Sequence, residues 1–456
     1  MNLIVRVATL VIGGAMLALA FSDDVRIVGG PGLGLTELIL LVVGGLNVAA
    51  AFVGGGFLAG WLVCQVSVVA TLAVAEFALR LTVAPRYLSP FQLDDRYLYD
   101  LVPGARREYR HMPVNGGTQL YSVNSFGFRG AEFDAARSAK PRVVIYGDSF
   151  IQAEYTALEN TLAVQLAERL TSSLNAEVEV INAGVAGYGP DQVLRRVEDE
   201  LEWLQPDLLI VAVFTGNDFG DLVRNKLYRL SFDGQLIENE FRFSDEIQLN
   251  ASLETSEPVL RKVGRQAKAG IQAMLQGDQP APPSPLQRTE ERLEQHVREY
   301  KEFVISGDNV VYDLRTDPYS ADIALQPDSD SAQYKIRLMK VVVAAIQGQA
   351  EESGVPLLLI GIPHPMDVLG GKHASGEVDT GKYPAYEPTR LTGTLQDIAA
   401  RLSIDHINLY PHFAAVDDPA ALYLLGGDDH WNDVGQSLAA DVVARYIEDR
   451  GYLKSD

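Results

Sequence analysis

The N-terminal region carries almost no charge, and this feature constrains the fold more than any other. From residue 38 to 79 the only charged residue is Glu76. A helix that crosses a bilayer takes roughly 20 mostly apolar residues, so this run is long enough for two. We predict spans at 38–54 and 57–79, joined by a tight turn at the three glycines 54–56. Buried helices of a soluble domain rarely stay uncharged over such a length.

An earlier apolar stretch, 3–21, is interrupted only by Arg6. It is either a third span or a signal peptide, since Ala18-Leu19-Ala20 has the small-x-small pattern of a cleavage site. Three spans with a cytoplasmic N-terminus, or a cleaved signal before two spans, both place the chain from residue 87 outside the cytoplasm. The arginines that flank the last span point weakly the other way. Because a membrane anchor suits work on an exported substrate, we expect an extracytoplasmic body on a bacterial-type inner membrane.

The charge of the chain lies in residues 87–456. Acids outnumber bases 60 to 38, which gives a formal charge of −22, and residues 1–86 net to zero. Such an acidic surface repels phosphate backbones, which argues against a nucleic-acid-binding protein. The single cysteine, Cys64, excludes a disulfide framework and a cysteine-based metal cluster.

Five short apolar runs in the body predict strands, and a turn and an amphipathic helical pattern follow each of them. Runs such as 208–213 are apolar throughout rather than alternating, as a parallel strand covered on both faces requires. We therefore predict an α/β fold, a three-layer α/β/α sandwich with a five-stranded parallel sheet. The predicted strands are 142–146, 178–182, 207–214, 355–362 and 406–410, and the clearest helices begin at Pro190 and span about 331–352 and 433–447.

Two segments fall outside this alternation. We predict that residues 87–141 form a lead-in segment, and that about 222–333 form an insertion within a catalytic domain at 142–456. The insertion carries a predicted hairpin at Asp233-Gly234, a proline-rich link and a helical pattern at 258–275 with four bases and no acid. Such a basic face either contacts anionic lipid or polymer or, more commonly, is an ordinary solvated helix face.

Three short pieces directly follow predicted strands, where the carboxyl ends of a parallel sheet gather functional side chains. Gly147-Asp148-Ser149 places a serine at the head of a helix, beside backbone N–H groups that suit an oxyanion. The stretch Asn182 to Gly187 offers N–H groups on glycine, which lets a substrate approach the backbone. Gly216-Asn217-Asp218 offers a side-chain amide at Asn217. Taken singly, each piece is equally explained by helix capping or turn chemistry.

A fourth piece, Asp428-Asp429-His430-Trp431-Asn432, precedes the last predicted helix. Histidine is the side chain best suited to act as a general base near neutral pH, and an acid two residues earlier can hold its Nδ1–H. Asp429, adjacent to the histidine, would point away from it in an extended loop. The other histidines show neither metal-ligand spacing nor such a flanking acid, and we assign them no role: His111, His296, His364, His373, His406 and His412.

Together, in this order and at these strand ends, the four pieces resemble the SGNH (GDSL-type) hydrolase superfamily, esterases and acyltransferases of α/β/α, flavodoxin-like fold. The resemblance covers 142–218 and 355–447. It implies that Ser149 is the nucleophile and His430 the base, and that no metal or organic cofactor is needed. It also implies an oxyanion hole made by the Ser149 N–H, Gly187 and Asn217, with Gly187 rather than Gly184 matched to the family's second block.

The chain departs from the commonest family pattern in one place. Many members have the triad acid three residues before the histidine, where this chain has Gly427. The block Asp-x-His-Trp-Asn instead looks like that of alginate-type and cell-wall polysaccharide O-acetyltransferases, which implies Asp428 as the acid. The stretch 123–130 also looks like a lead-in of membrane-anchored relatives. The Gly-x-Ser-x-Gly elbow is absent, because Ile151 stands at its second glycine, which argues against the α/β-hydrolase fold.

The resemblance implies a membrane-anchored serine esterase that acts on an ester-bearing small molecule, lipid or glycan through an acyl-enzyme. An O-acetyltransferase that modifies an exported polysaccharide is the alternative, because the same triad serves water or a sugar hydroxyl. A catalytically silent glycan-binding protein is a second alternative, and the intact set of site residues weighs against it. The charge of −22 disfavours a strongly anionic polymer unless a local basic patch receives it. No residue pattern indicates a protein partner.

Overall fold

The structure is a computed structural model in which the chain forms two compact units. One unit consists of residues 1–84 with 258–264, and the other of 85–257 with 265–456. The predictions for Gly54, His111, residues 269–275, Pro280 and Pro282 lie outside the described residues. The structure describes residues 2–20, 35–53, 55–82, 89–110, 118–136, 140–256, 258–265, 268, 283–314 and 318–453.

The smaller unit is built on three apolar helices, Asn2–Ala20, Leu35–Phe52 and Gly55–Thr82. The first two approach closely, since a Cβ added to Gly13 would lie only 2.8 Å from the backbone oxygen of Gly44. In the part of the chain that is described, one helix, Gly56–Leu81, is long and apolar enough to cross a membrane. The apolar helices Leu3–Ala18 and Leu41–Phe52 are shorter. The prediction of two or three spans therefore stays a prediction.

Polar side chains make specific contacts within this apolar unit. Oδ1 of Asn47 accepts hydrogen bonds from Trp61 Nε1 at 3.1 Å and from Gln65 Nε2 at 2.8 Å. The carboxylate of Glu76 accepts the backbone N–H groups at 259 and 260, at 3.0 and 2.9 Å. These N–H groups open a helix at 259–265, so the predicted helical pattern from residue 258 is confirmed as far as the description continues.

The larger unit is built on a parallel sheet of five strands. Its order is fifth, fourth, third, first, second in chain numbering, and every neighbouring pair is parallel. The predicted α/β class and five-stranded parallel sheet are therefore confirmed, with strand bounds shifted by one or two residues. The five central strands are Arg142–Gly147, Glu179–Gly184, Leu208–Phe214, Leu357–Ile362 and Asp405–Asn408.

Helices cover both faces of the central sheet, which explains why its middle strands, such as Leu208–Phe214, are apolar without alternation. Val144 and Tyr146 pack on one face, against the helices Pro190–Leu204, Asp330–Glu352 and Arg390–Leu402. Val143 and Ile145 pack on the other face, against Leu162–Leu174 and Asp433–Arg450. The shorter helices of the sheet region are Ser149–Gln152, Asp218–Asn225, Pro365–Val368 and Tyr410–Ala414, with 3-10 turns at Leu158–Asn160 and Pro419–Leu422.

The lead-in and the insertion form small elements around the central sheet. The predicted hairpin at Asp233-Gly234 is confirmed, because the strands on either side pair antiparallel and Gly234 has a φ of +83°. The lead-in strands are Phe91–Asp94, Leu98–Leu101, Arg106–Arg110 and Thr118–Ser122. The insertion contains the strands Tyr228–Leu230, Leu236–Glu238, Arg242–Phe243 and Val310–Val311. Its helices are Asp245–Ser256, Pro285–Glu299, the π-helical Tyr300–Ile305 and Ala321–Leu325, and a short pair, Lys372–His373 with Gly376–Glu377, follows the fourth strand.

Candidate active site

The serine lies where the first central strand ends. Gly147 ends that strand, and a Cβ there would lie 2.6 Å from the Ile151 side chain, so the turn needs glycine. Asp148 caps the following helix, because its Oδ1 accepts the backbone N–H of Phe150 at 3.0 Å. Ser149 is the first helical residue and is only partly buried, at the carboxyl edge of the sheet. The turn thus presents the hydroxyl at the edge where parallel α/β sheets hold their ligands.

A single carboxylate holds the histidine. Oδ1 of Asp428 lies 2.6 Å from Nδ1 of His430 and also accepts the backbone N–H of His430 at 2.9 Å. With Nδ1 carrying the proton toward Asp428, the other ring nitrogen, Nε2, is the one that can accept a proton. Asp428 therefore occupies the position that orients the imidazole, two residues before it.

Aromatic packing fixes the histidine loop above the serine helix. Trp431 is fully buried, and its ring lies 5.0 Å from that of Phe150 and 5.1 Å from that of Phe413. The ring of Phe150, next to the serine, lies 5.1 Å from the His430 ring. The residue after the histidine and the residue after the serine thus pack on each other, which brings the two functional side chains to one place.

The environment of His430 favours its protonated form. Burial alone would lower the pKa of His430, but the hydrogen bond and charge of Asp428, with smaller contributions from Asp148 and Asp429, raise it to about 9. Burial likewise opposes ionisation of Asp428, and its contact with His430 lowers the pKa of that carboxyl. Asp428 thus stabilises the imidazolium that forms when Nε2 of His430 accepts a proton.

Gly427 explains why the acid is not three residues before the histidine. Its φ is +84°, a backbone conformation that side chains other than glycine rarely adopt. A Cβ there would lie 2.2 Å from the Cβ of Ala374. An aspartate does not fit at this position in this loop, and Asp428 is the acid next in the chain.

Two connected hollows open beside the serine. The larger, called the cleft here, has a volume of about 330 Å³, and the smaller, called the recess, about 50 Å³. Ser149 and His430 line both of them. The other residues that line the cleft are Phe91, Arg107, Tyr109, Glu154, Tyr155, Ala186 and Gly187. The other residues that line the recess are Phe150, Phe214, Gly216, Asn217, Tyr319, His364 and Asp429.

The two glycines of the second piece have different surroundings. Gly184 lies under the serine helix, where a Cβ would come within 2.4 Å of the Gln152 backbone nitrogen. Gly187 instead lines the cleft with the serine and has a φ of +78°. A Cβ at Gly187 would lie 2.6 Å from the Tyr99 hydroxyl. Gly184 thus permits close packing under the serine helix, while Gly187 lines the cleft.

Asn217 lies at the start of a helix on the opposite side of the serine. Its backbone oxygen accepts the N–H groups of Gly220 and Asp221 at 2.7 and 3.0 Å, which fixes the turn. The side chain is almost fully buried, and its Oδ1 has no hydrogen-bond partner among the described residues. Since Asn217 lines the recess, its amide belongs to the surroundings of the serine rather than to the helix cap.

Asp429 does not pair with His430 and faces two other histidines. Its carboxylate lies 3.3 Å from Nε2 of His364 and 3.0 Å from Nδ1 of His373, and it lines the recess. Nδ1 of His364 accepts the backbone N–H of Met366, so Nε2 carries the proton that faces the carboxylate. Burial opposes ionisation of Asp429, but the two histidines and Ser375 hold the pKa of its carboxyl well below the usual range.

His364 was missed although the sequence carried a signal for it. It stands two residues after the fourth central strand, at the same edge of the sheet as Ser149 and Asn217. Its ring is buried and stacks on Phe214 at 5.6 Å. Strand-end position, the criterion that selected the other pieces, would have selected it too.

The lead-in supplies one wall of the cleft. The hydroxyl of Tyr109 donates to Glu154 at 2.8 Å, and the Arg107 guanidinium lies 4.9 Å from the centre of the Tyr109 ring. Tyr155 meets the His430 ring edge-on at 6.0 Å. Arg107 and Tyr109 come from the strand Arg106–Arg110, and Glu154 and Tyr155 come from the loop after the serine helix. The four sequence pieces contain none of these four residues. Among the residues that the structure describes, no group of three or more His, Cys, Asp or Glu side chains is arranged to hold a metal ion.

Comparisons with known proteins add little to this geometry. No protein-family model and no curated protein matches the chain. Among solved structures, a lipase/acylhydrolase from Enterococcus faecalis is 14% identical over 68% of this chain and 96% of its own, with a TM-score of 0.32. The psychrotrophic esterase EstA from Pseudoalteromonas sp. is 10% identical over 69% and 100%, with a TM-score of 0.31. A GDSL-like lipase from Bacteroides thetaiotaomicron is 11% identical over 70% and 93%, also at 0.31. TM-scores of this size carry no argument, so the function is inferred from the site itself.

Proposed function

We propose that this protein is a serine esterase of the SGNH type, with Ser149, His430 and Asp428 as its triad. The observation that carries the proposal is the contact of Asp428 with Nδ1 of His430 at 2.6 Å, in a cleft that the serine also lines. A carboxylate, an imidazole with its second nitrogen available and a partly exposed hydroxyl are the parts that nucleophilic acyl transfer requires.

In the proposed reaction, Nε2 of His430 accepts the proton of Ser149 as Oγ attacks the ester carbonyl. The negative charge on the former carbonyl oxygen is stabilised by the N–H groups of Ser149 and Gly187 and by the Asn217 amide. The tetrahedral intermediate collapses, the alcohol leaves with the proton from His430, and an acyl-enzyme remains. Water, deprotonated by the same imidazole, attacks the acyl-enzyme and releases the carboxylic acid and the free serine.

The O-acetyltransferase is the second candidate, favoured by the block Asp428-x-His430-Trp431-Asn432. It differs only in the last step, where a sugar hydroxyl replaces water as the acceptor. The same residues then act in the same roles, and the difference lies in what the surroundings of the cleft bind. A silent binding protein on this scaffold would not need the ordered contact between Asp428 and His430.

We propose that helices of the smaller unit anchor the protein in a membrane and that the body lies outside the cytoplasm. The helix Gly56–Leu81 supports the anchor by its length and composition. We retain the proposed division into a transmembrane region at 1–86, a lead-in at 87–141 and a catalytic domain at 142–456 with an insertion at about 222–333. Protease digestion of spheroplasts, which lack an outer barrier, tests the orientation, because residues 87–456 should be cleaved from outside, whereas full protection would contradict it.

Ester hydrolysis by the full chain in detergent micelles tests the proposed activity. Release of p-nitrophenol from acetyl and longer-chain esters should be abolished in Ser149→Ala. Ser306→Ala is the matched control, because Ser306 is an exposed serine of the insertion. Equal hydrolysis by wild type and Ser149→Ala would overturn the proposal. Faster turnover of the acyl-enzyme on addition of an oligosaccharide would favour the acetyltransferase.

A further inference from the structure

A second cavity, called the groove here, adjoins the cleft on the side of the lead-in. Its volume is about 410 Å³, larger than that of the cleft and within the roughly 300–1,000 Å³ typical of ligand sites. The proposed reaction uses none of the side chains that belong to the groove alone. The residues that line it are Ser89, Phe91, Gln92, Leu93, Tyr99, Glu246, Ile247, Asn250, Ala251, Tyr312, Asp313 and Leu314.

The groove and the cleft lie side by side and share a wall. Phe91 lines both of them, and its ring meets that of Tyr99 edge-on at 6.0 Å. The Tyr99 hydroxyl donates to the backbone oxygen of Ala186 at 2.8 Å, and Ala186 lines the cleft next to Gly187. A Cβ at Gly187 would lie 3.6 Å from the backbone oxygen of Leu314 in the groove. The groove therefore lies beside Gly187, the glycine that lines the cleft together with Ser149.

The groove is built by the two segments that the proposed chemistry leaves unused. The lead-in contributes the strand Phe91–Asp94 and its partner Leu98–Leu101. The insertion contributes one face of the helix Asp245–Ser256 and the segment after the strand Val310–Val311. Both segments thus meet at one cavity next to the serine, which gives them a shared purpose.

The lining combines aromatic rings with polar side chains. Phe91, Tyr99 and Tyr312 supply the rings, and Tyr312 is 56% exposed. Gln92 and Asn250 supply amides that both donate and accept hydrogen bonds. A sugar ring has C–H faces that pack on aromatic rings and hydroxyl edges that need such partners. A long acyl chain would offer these two amides no hydrogen-bond partner, which is costly.

The charge of the groove narrows the class of sugar. Among the described residues that line it, the charged side chains are Glu246 and Asp313, and both are acids. Two carboxylates repel a polymer of uronic acids and favour neutral or amino sugars. This local charge has the same sign as the net charge of −22 on the whole chain.

From these observations we propose that the groove binds a neutral or amino-sugar oligosaccharide, whose ester or acceptor hydroxyl then lies at Ser149. The proposal rests on the proposed esterase or acyltransferase function and names its substrate class. It gives the lead-in and the insertion a role in selecting the glycan, since the five residues of the triad and oxyanion hole carry no information about the sugar.

Binding of defined pentasaccharides to the full chain tests the proposal. The Ser149→Ala protein is placed in phosphatidylcholine nanodiscs, and titration calorimetry measures the binding of three pentasaccharides. These are the cationic glucosamine pentamer, its fully N-acetylated form and penta-galacturonate. We expect both amino-sugar pentamers to bind and penta-galacturonate to bind much more weakly. A second substitution, Tyr312→Ala, should weaken binding by about tenfold or more. Asn250→Ala as the second substitution should also weaken binding, and it leaves the core unchanged because Asn250 is exposed. Added Phe232→Ala, at a fully exposed ring of the insertion hairpin, is the matched control and should bind as the parent does.

Several outcomes would overturn the groove proposal. These are tighter binding of penta-galacturonate, no binding of either amino-sugar pentamer, or binding unchanged by both groove variants. The parent protein should bind the cationic pentamer more tightly than the N-acetylated one, and Glu246→Gln should lessen this preference. An unchanged preference would contradict the charge argument. Hydrolysis of p-nitrophenyl acetate by the wild-type protein separates the two proposals. If the wild type hydrolyses the ester through Ser149 but no pentasaccharide binds, only the proposal for the groove is overturned. If the wild type does not hydrolyse the ester, the proposed esterase function is overturned.

Discussion

Oδ1 of Asp428 holds both the ring and the backbone of His430, at 2.6 Å from Nδ1 and 2.9 Å from the backbone nitrogen. One oxygen atom thus fixes the tautomer of the imidazole and the turn that carries it. A two-residue spacing is sufficient for this because the Asp428 side chain forms a turn with the backbone N–H two residues later, which brings the His430 ring back to the same carboxylate. The proposed triad depends on this relationship more than on any other.

Replacing Asp428 by asparagine should lower kcat by about 10³- to 10⁴-fold, because an amide no longer stabilises the imidazolium or fixes the tautomer. Hydrolysis of p-nitrophenyl acetate at a fixed pH measures the change. Asp417→Asn, at an exposed aspartate of the same region, is the matched control and should retain wild-type activity. A loss below tenfold in Asp428→Asn would mean that this carboxylate is not the triad acid.

The activity should rise with pH well into the alkaline range. A general base acts in its neutral form, and the pKa of His430 is raised to about 9 chiefly by Asp428, against the effect of burial. The profile of kcat/KM should therefore climb between pH 6.5 and 9. In Asp428→Asn the residual activity should reach its plateau at lower pH, since the carboxylate that raises the pKa is gone. If kcat/KM rises with pH over the same range in the wild type and in Asp428→Asn, Asp428 is not the group that raises the pKa of His430.

Asn217→Ala should lower kcat by about 10²- to 10³-fold with little change in KM, because the amide acts on the oxyanion and not on the bound ester. Steady-state kinetics with p-nitrophenyl acetate separate the two constants. The melting temperature is the control, and it should stay close to that of the wild type because Oδ1 of Asn217 makes no hydrogen bond in the described part of the chain. A rise in KM alone would indicate a role in binding instead.

Asp429→Ala should destabilise the fold by about 1–3 kcal/mol, because the protonated Nε2 of buried His364 loses its partner. Urea denaturation followed by circular dichroism measures the free energy of unfolding. Asp429→Asn keeps an acceptor oxygen for His364 and should lose less stability than Asp429→Ala. Equal losses in the two variants would mean that the contact with His364 does not stabilise the loop.

The central sheet could be predicted because its middle strands are apolar on both faces. Val143, Val144, Ile145 and Tyr146 are all fully buried, so alternation does not obscure the assignment of this strand. The positions of Ser149 and Asn217 at the carboxyl edge follow from the same strands. Their roles stay a prediction, because they depend on chemistry that the fold does not test.

Other parts of the site could not be predicted from the sequence. Asp429 faces two histidines that lie 65 and 56 residues earlier in the chain, His364 and His373. Local spacing carries no signal for such contacts. The same holds for Tyr99 and Tyr312, which meet at the groove from the lead-in and the insertion. Loops that pack together from distant segments leave no periodic pattern to find.

Trapping the acyl-enzyme tests the central claim most directly. The full chain is mixed with p-nitrophenyl acetate, quenched in acid during turnover and digested, and the peptide that carries residue 149 is analysed by mass spectrometry. We predict an acetyl group on Ser149 of the wild-type protein. The Ser306→Ala control should carry the same acetyl group at the wild-type level. The acetyl group should be absent from residue 149 of Ser149→Ala and should not accumulate in unfolded protein. Acetyl groups spread over surface lysines and hydroxyls, with Ser149 unmodified in a protein that hydrolyses the ester, would contradict it.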